Sequence, residues 1–331
     1  MGQGMTRDIP RRAFLNLAAA TSAVAAFPGA AAALDYPNRP VRWVIGFPPG
    51  GGADIVSRIM GAWLSQRLGQ QVIIENRPGA GTNIATEYVV RSAPDGYTLL
   101  WSGVSNAINT SIFSDLAFDF LKDIVPVAGI VKYPLVLEVN PKVPAKSIAE
   151  LVALANANPG RMTLGSYGTG TISQVAGELF KSRAGISMVH VPYRGGAPMV
   201  TDLMGGQVDA GIDVVAASLP HIRSGAVRAL AVMSAKRLDA LPDVPTLAET
   251  FPGLEAVAFA GIGAPRGTPA AIIDTLNKAV NAVLADPKLE ARLVQLGGVP
   301  MPMTPAQFGK LIAGETEKWA KVVKFSGAKP D

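Results

Sequence analysis

The chain has 331 residues, room for two modest domains with a sizeable core. Hydrophobic residues make up 49% and charged residues 17%, which excludes a disordered chain, and the net charge of +5 is scattered without a Lys/Arg run among aromatics, which argues against a nucleic-acid partner. With no cysteine and only His190 and His221, disulfides, thiolate catalysis, Cys-ligated zinc, a lipidated N-terminal cysteine and a His-rich metal site all drop out.

Arg11-Arg12 precedes an apolar run over residues 13–27, and Ala31-Ala32-Ala33 offers a cleavage site. Residues 1–33 are therefore expected to be an export signal cut near Ala33. The run Arg11-Arg12-Ala13-Phe14-Leu15 resembles a bacterial twin-arginine signal, with the general export route as the alternative. A membrane anchor fits less well, because the run falls short of the roughly 20 residues a span needs and Pro28-Gly29 interrupt it. The mature chain is expected to be soluble and periplasmic.

Residues 41–54 read as a buried strand, a glycine-rich turn and a helix start. Ile55, Val56, Ile59, Met60, Trp63 and Leu64 then recur at helical spacing, with Arg58, Gln66 and Arg67 on the other face. Glycines in such a turn let the backbone approach a ligand, and free N–H groups at a helix start favour an anion. Residues 71–75 read as a strand, residues 84–91 as a helix and residues 97–101 as a strand entered by the turn Pro94-Asp95-Gly96. Gly103-Val104-Ser105-Asn106-Ala107 reads as a polar loop beyond that strand's carboxyl end, where open α/β sheets hold ligands.

A second module repeats the grammar. Residues 134–139 read as a strand, and Ser147 with Glu150 forms a capping-box pattern ahead of Leu151, Val152 and Leu154. Residues 162–166 read as a strand, followed by the small-residue loop Tyr167-Gly168-Thr169-Gly170-Thr171 and a helix to about residue 183. Next come a strand at 187–191, the loop Pro192-Tyr193-Arg194-Gly195-Gly196, a helix from Ala197, and strands at 209–213, 227–233 and 256–262. Helices close the chain at 269–284, 288–296 and 305–324. Alternating strands and helices argue for parallel βαβ units. Two such modules suggest two lobes, residues 34–133 plus 254–331 and residues 134–253, with the last helices packed on the first.

Neither glycine-rich turn has a nucleotide P-loop or dinucleotide pattern, so those ligands are disfavoured. Asp54 reads as a first-turn helix acid. Ser166, Asp213 and His221 occur in the chain order of hydrolase triads, but Leu164-Gly165-Ser166-Tyr167-Gly168 lacks the first glycine of a nucleophile elbow. His221 reads instead as a surface residue of a helix, and His190 as a packed polar group in a strand. Tyr193 and Arg194 offer a stacking platform and a carboxylate fork. Asp213, at a strand end, either accepts a hydrogen bond from a ligand or caps the next helix. No pair of carboxylates stands at a spacing that suggests acid–base work, and Asp239 and Asp243 read as solvated.

Several stretches, in this order, resemble the substrate-binding proteins of tripartite tricarboxylate transporters, the Bug family of periplasmic receptors. They are Tyr36-Pro37-Asn38-Arg39-Pro40-Val41-Arg42, Phe47-Pro48-Pro49-Gly50-Gly51, Glu75-Asn76-Arg77-Pro78-Gly79-Ala80-Gly81 and Ala93-Pro94-Asp95-Gly96-Tyr97. Downstream stand Ala176-Gly177-Glu178-Leu179-Phe180, Val189-His190-Val191-Pro192-Tyr193-Arg194-Gly195, Leu241-Pro242-Asp243-Val244-Pro245-Thr246 and Ala264-Pro265-Arg266-Gly267-Thr268-Pro269. The resemblance covers nearly the whole mature chain. It implies an α/β type II periplasmic-binding-protein fold, with two lobes that close on a ligand cleft.

The resemblance also implies that backbone groups and ordered waters hold the ligand carboxylate. The matching positions are Phe47, Gly50, Gly51, Gly52 and Ala53 in one lobe, and Ser166, Gly168, Thr169, Gly170 and Thr171 in the other. Ser105, Asn106, Tyr193, Gly195 and Asp213 complete the cleft. Ile172-Ser173-Gln174-Val175 departs from a pattern that usually holds a proline and a histidine. The expected function is capture of a small carboxylate (a di- or tricarboxylate, an acidic amino acid or an aromatic acid) and its delivery to membrane permease subunits, as a monomer without cofactor or catalysis. The alternatives are an exported serine hydrolase using Ser166 and a sensor for a signalling partner.

Overall fold

Strand β1 (Val41–Ile45) exposes only Arg42, and its other four residues are fully buried, as a parallel strand covered on both faces requires. It pairs in parallel with β2 (Val72–Asn76) and β3 (Thr98–Gly103). The crossovers are α1 (Gly52–Leu68) and, after a 3-10 turn at Ala80–Thr82, α2 (Asn83–Val90). Gly50 makes the turn into α1 with φ +85°, a left-handed conformation that glycine adopts without strain. This computed structural model describes Met1 and residues 36–330, and the residues from Pro37 onward cluster as one unit. The expected export signal falls mainly on residues 2–35, outside the described residues.

The stretch expected as a polar loop at 103–107 is the last residue of β3 and the first turn of α3 (Val104–Ile112). Asn106 explains the difference. Its Oδ1 accepts the Gly103 N–H at 2.9 Å, and its Nδ2 donates to the hydroxyls of Thr82 and Thr86 at 3.2 and 2.8 Å. Asn106 bonds inside the protein instead of meeting water.

After the short α4 (Phe120–Asp123), β4 (Ile124–Val139) runs for 16 residues. Sequence alone gave only its second part, because Pro126 and Pro134 argue against a continuous strand. Register shifts between Pro126 and Ala128 and between Gly129 and Val131 absorb the irregularity. From Ile124 to Pro134 the strand pairs antiparallel with β9 (Val257–Pro265), and from Leu135 onward with β7 (Ala210–Val214) and, over part of that stretch, with β8 (Arg228–Val232).

The remaining elements are α5 (Ile148–Ala157), β5 (Thr163–Ser166), α6 (Ile172–Ala184), β6 (Val189–Pro192), α7 (Gly196–Gly205), α8 (Val215–Arg223), α9 (Ala270–Leu284), α10 (Pro287–Gln295), β10 (Val299–Pro300) and α11 (Pro305–Ser326). Half of the expected capping box is present at α5: the Ser147 hydroxyl accepts the Glu150 N–H, but the Glu150 carboxylate accepts from the Lys146 N–H instead of that of Ser147. The two-residue β10 pairs with β4 and has no sequence signal.

The main path of the sheet is β2-β1-β3-β9-β4-β7-β5-β6. Two parallel triplets, β2-β1-β3 and β7-β5-β6, thus flank the antiparallel strands β9 and β4. Parallel βαβ units hold for the triplets only. Trp43 packs on Trp101 with ring centroids 5.5 Å apart, and Phe308 of α11 meets Phe259 edge-on. Helix α11 packs on α3 and β4, as expected, but also on α6 beyond the first module. Among the described residues no helix is long and apolar enough to cross a membrane.

Candidate functional site

The carboxyl ends of β1, β3 and β7 converge on a cavity of about 520 Å³, its open mouth included. From the β1–α1 turn come Phe47, Pro48, Gly51, Gly52 and Ala53, and from the β3–α3 junction Trp101, Gly103, Val104, Ser105 and Asn106. Tyr133 of β4 and Ala258 and Phe259 of β9 form another wall, with Tyr167, Gly196, Asp213 and Val214 from the second triplet. A separate outer recess is lined by residues 78–82, Phe113, Gly168, Thr169, Thr171, residues 192–195 and Pro330. Phe47 and Tyr167 border both spaces and stand edge to face, centroids 5.9 Å apart at 80°. They form the partition between the two.

Helix starts supply the hydrogen-bonding capacity of the inner wall. The first intrahelical donor of α1 is Ile55, whose N–H reaches Gly51 O at 3.0 Å. The N–H groups of Gly52 and Ala53 therefore sit at the cavity wall without an acceptor inside the helix. Val104 and Ser105 open α3 in the same way. Gly196, the first residue of α7, and Val214, the N-cap of α8, stand in the opposite wall, and helix N-termini gathered at one cavity make it a place for an anion.

Gly50 is different, because its N–H is already given to Asp54 Oδ2 at 3.0 Å. Asp54 also accepts from Arg58 and from Asn76 Nδ2. Burial pushes the Asp54 carboxyl up, but the bonds from Arg58, Gly50 and Asn76 outweigh it and hold the group below the usual carboxylate range. Asp54, in the first turn of α1, fastens the glycine-rich turn and Asn76 of β2 to the helix.

The second glycine-rich loop is bonded mostly to itself. Gly168 N–H donates to Ser166 Oγ, Gly170 N–H to Gln174 Oε1 and Thr171 N–H to Gly168 O. Gly168, Thr169 and Thr171 border the outer recess, while Ser166 and Gly170 line neither space. Tyr193 and Gly195 also lie on the outer recess. The Tyr193 hydroxyl donates to Asp202 at 2.9 Å, and burial followed by that bond pushes its pKa up to about 12. Arg194 is exposed beside it.

The structure thus gathers Phe47, Gly51, Gly52, Ala53, Ser105, Asn106 and Asp213 around the inner cavity, and Phe47 with Gly168, Thr169, Thr171, Tyr193 and Gly195 around the outer recess. Several large cavity residues escaped the sequence: Trp101, Tyr133, Tyr167 and Phe259. Trp101 ends the strand read at residues 97–101, whose carboxyl end points to the site, and could have been found. Tyr133 and Phe259 face the cavity only through the β4–β9 register, which local patterns do not reveal.

Two buried carboxylates influence each other here, Asp213 in the cavity wall and Glu138 outside its lining, where sequence spacing suggested no pair. Asp213, 1% exposed, accepts the Val214 N–H with Oδ1 at 2.7 Å, and its Oδ2 has no partner. Burial raises its pKa to about 7, against the lowering effect of that amide. Glu138 on the neighbouring β4 accepts the Ser218 hydroxyl at 2.8 Å. Burial and then the Asp213 charge raise it to about 8. Burial also pushes the Tyr133 and Tyr167 phenols well up.

The triad order Ser166, Asp213, His221 is not realised as a hydrogen-bonded set. Ser166 Oγ stands 2.7 Å from His190 Nε2, so the packed histidine found a partner, and His221 lies on α8.

Residues 56–327 match the family described as tripartite tricarboxylate transporter family receptor. Protein BugT of Bordetella pertussis is 39% identical over 297 residues, covering 89% of this chain and 91% of the relative. A protein of R. palustris solved with adipate superposes with a TM-score of 0.87 at 35% identity, covering 90% of this chain and 100% of the other. MatC from Rhodopseudomonas palustris with bound malate superposes with a TM-score of 0.83 at 32% identity, covering 87% of this chain and 100% of the other. On sequence and fold together, the chain belongs to the tripartite tricarboxylate transporter receptors of the Bug family.

Proposed function

We propose that this protein is a periplasmic receptor that captures a small carboxylate in the inner cavity and delivers it to a membrane permease without chemical change. The carrying observation is the pair of helix starts, α1 and α3, whose N–H groups at Gly52, Ala53, Val104 and Ser105 reach the cavity wall without helical acceptors. Hydrogen bonds from such amides to an ionised carboxylate are charge-assisted and stronger than neutral ones. Adipate and malate in the relatives' structures are consistent with this ligand class.

In this reading residues 1–33 are the twin-arginine-type export signal, and the mature chain acts as a monomer of two lobes. Residues 34–133 plus 254–331 form one lobe and residues 134–253 the other, with β4 and β9 as the connection about which they close. Contacts across the cleft support a closing motion. A Cβ on Gly195 would overlap Pro48, and one on Gly81 would stand 2.5 Å from Thr169 O. Ligand contacts made only when the lobes are shut shift the population to the closed form.

Thermal unfolding of the mature chain against a panel of carboxylates tests the proposal, because a ligand bound only by the folded state raises Tm with its concentration. A concentration-dependent rise with at least one acid is expected, and no rise at millimolar concentration with any acid would contradict it. The Ser166–His190 pair favours a second reading, an ester hydrolase. Ser166 borders neither space, so wild type and Ser166→Ala should hydrolyse activated esters equally slowly. Turnover lost in the variant would establish the enzyme.

A further inference from the structure

Among the described residues that line the cavity, Asp213 is the one with a buried side-chain polar atom that has nothing bonded to it. Its Oδ2 is without a partner, the residue is 1% exposed, and it stands in the same cavity wall as the helix starts of α1 and α3. Gly196 is pressed against it, a Cβ there falling 2.7 Å from Oδ2, so the carboxylate cannot easily swing away on that side. A buried acceptor left empty carries a desolvation cost that a ligand donor would relieve. Where Asp213 is ionised, a second ligand carboxylate would instead bring like charge against it in a site that water screens little.

Four aromatic side chains make up much of the rest of the wall. Trp101, Tyr133, Tyr167 and Phe259 are all buried around the cavity, a surface suited to stacking or edge contact with a ring. Resting on the receptor reading above, we propose that the preferred ligand is an aromatic monocarboxylate carrying an amine or hydroxyl away from its acid group. The α1 and α3 amides take the acid, the aromatic walls take the ring, and Asp213 Oδ2 accepts from the amine or hydroxyl. Burial pushes the Asp213 carboxyl up to about 7 in the empty protein, as fits a group still short of a partner.

Titration calorimetry of the mature chain with 4-aminobenzoate, 3- and 4-hydroxybenzoate, benzoate, adipate and malate tests the assignment. At least one donor-bearing aromatic acid should bind about tenfold or more tighter than benzoate and than either dicarboxylate, a difference of about 1.4 kcal/mol. In Asp213→Asn the preference over benzoate should shrink towards unity, with the Tm of the empty variant reporting that it folds. Equal binding of benzoate and the donor-bearing acids by wild type overturns the assignment, as does tightest binding of a dicarboxylate. Either result leaves the receptor reading standing. Silence across the whole panel overturns both.

Discussion

Three buried or nearly buried acids show how one residue type is put to different uses. Asp54 is surrounded by donors and ionised, Asp213 has one backbone donor, and Glu138 has one hydroxyl. Glu138 gives a definite pH dependence. Its folded pKa, about 8, lies above the ordinary 4.5, so its contribution to stability is full below the ordinary carboxylate range and is lost as pH rises through about 8. The Tm of ligand-free protein should therefore fall between about pH 5 and about pH 9, with a cost on the order of a few kcal/mol. Asp213 acts in the same direction. Glu138→Gln should flatten that slope, and an unchanged slope would place the titration elsewhere. Asp54 was legible as an acid in the first turn of its own helix, although its bond from Asn76 of β2 is long-range. The depth of Asp213 and Glu138 was not, since it arises from β4 pairing with β7, strands more than 70 positions apart in the chain.

Among the elements, α3 is the instructive departure. Its first residues are small and polar, which reads as a loop until Asn106 is seen to bond Gly103, Thr82 and Thr86 at once. Asn106→Ala removes these three bonds and should lower stability by about 1–3 kcal/mol, read from chemical denaturation. Ligand affinity should fall with it, because the α3 start shifts. A variant as stable as wild type would mean that α3 is held by other contacts. The helix α6 has its own tie. Gln174, where the family resemblance leads one to expect another residue, accepts from Gly170 N–H and donates to Lys329 O at 2.9 Å each. Gln174→Leu cuts both bonds and should loosen the second loop and the C-terminal tail together, seen as faster amide exchange at Gly170 and in residues 327–330. Exchange that rises in only one of the two would show that they are not coupled. Strand and helix positions followed from hydrophobic periodicity to within a few residues, whereas β4 hid behind its prolines.

Across the whole molecule, the order β2-β1-β3-β9-β4-β7-β5-β6 puts two helix starts and a lone carboxylate around one space, and the aromatic residues of β4 and β9 between them. Local patterns gave the modules and the first glycine-rich turn. The choice of α3 over the second loop as the other helix start at the inner cavity became visible only in three dimensions. The proposed closure has a direct probe. Gly52 meets Val214 so tightly that a Cβ would overlap its Cγ2, although Gly52 is helical and alanine there strains no backbone. Gly52→Ala should keep its fold but weaken ligand binding about tenfold or more and leave the radius of gyration, by small-angle scattering, less responsive to ligand. Unaltered affinity would mean that the contact is not needed for the bound state. The most direct measurement is a crystal structure of the mature protein with its tightest-binding acid. The carboxylate is expected within hydrogen-bonding distance of the Gly52 or Ala53 amide and of the Val104 or Ser105 amide, while an acid group bound away from both helix starts would contradict the account.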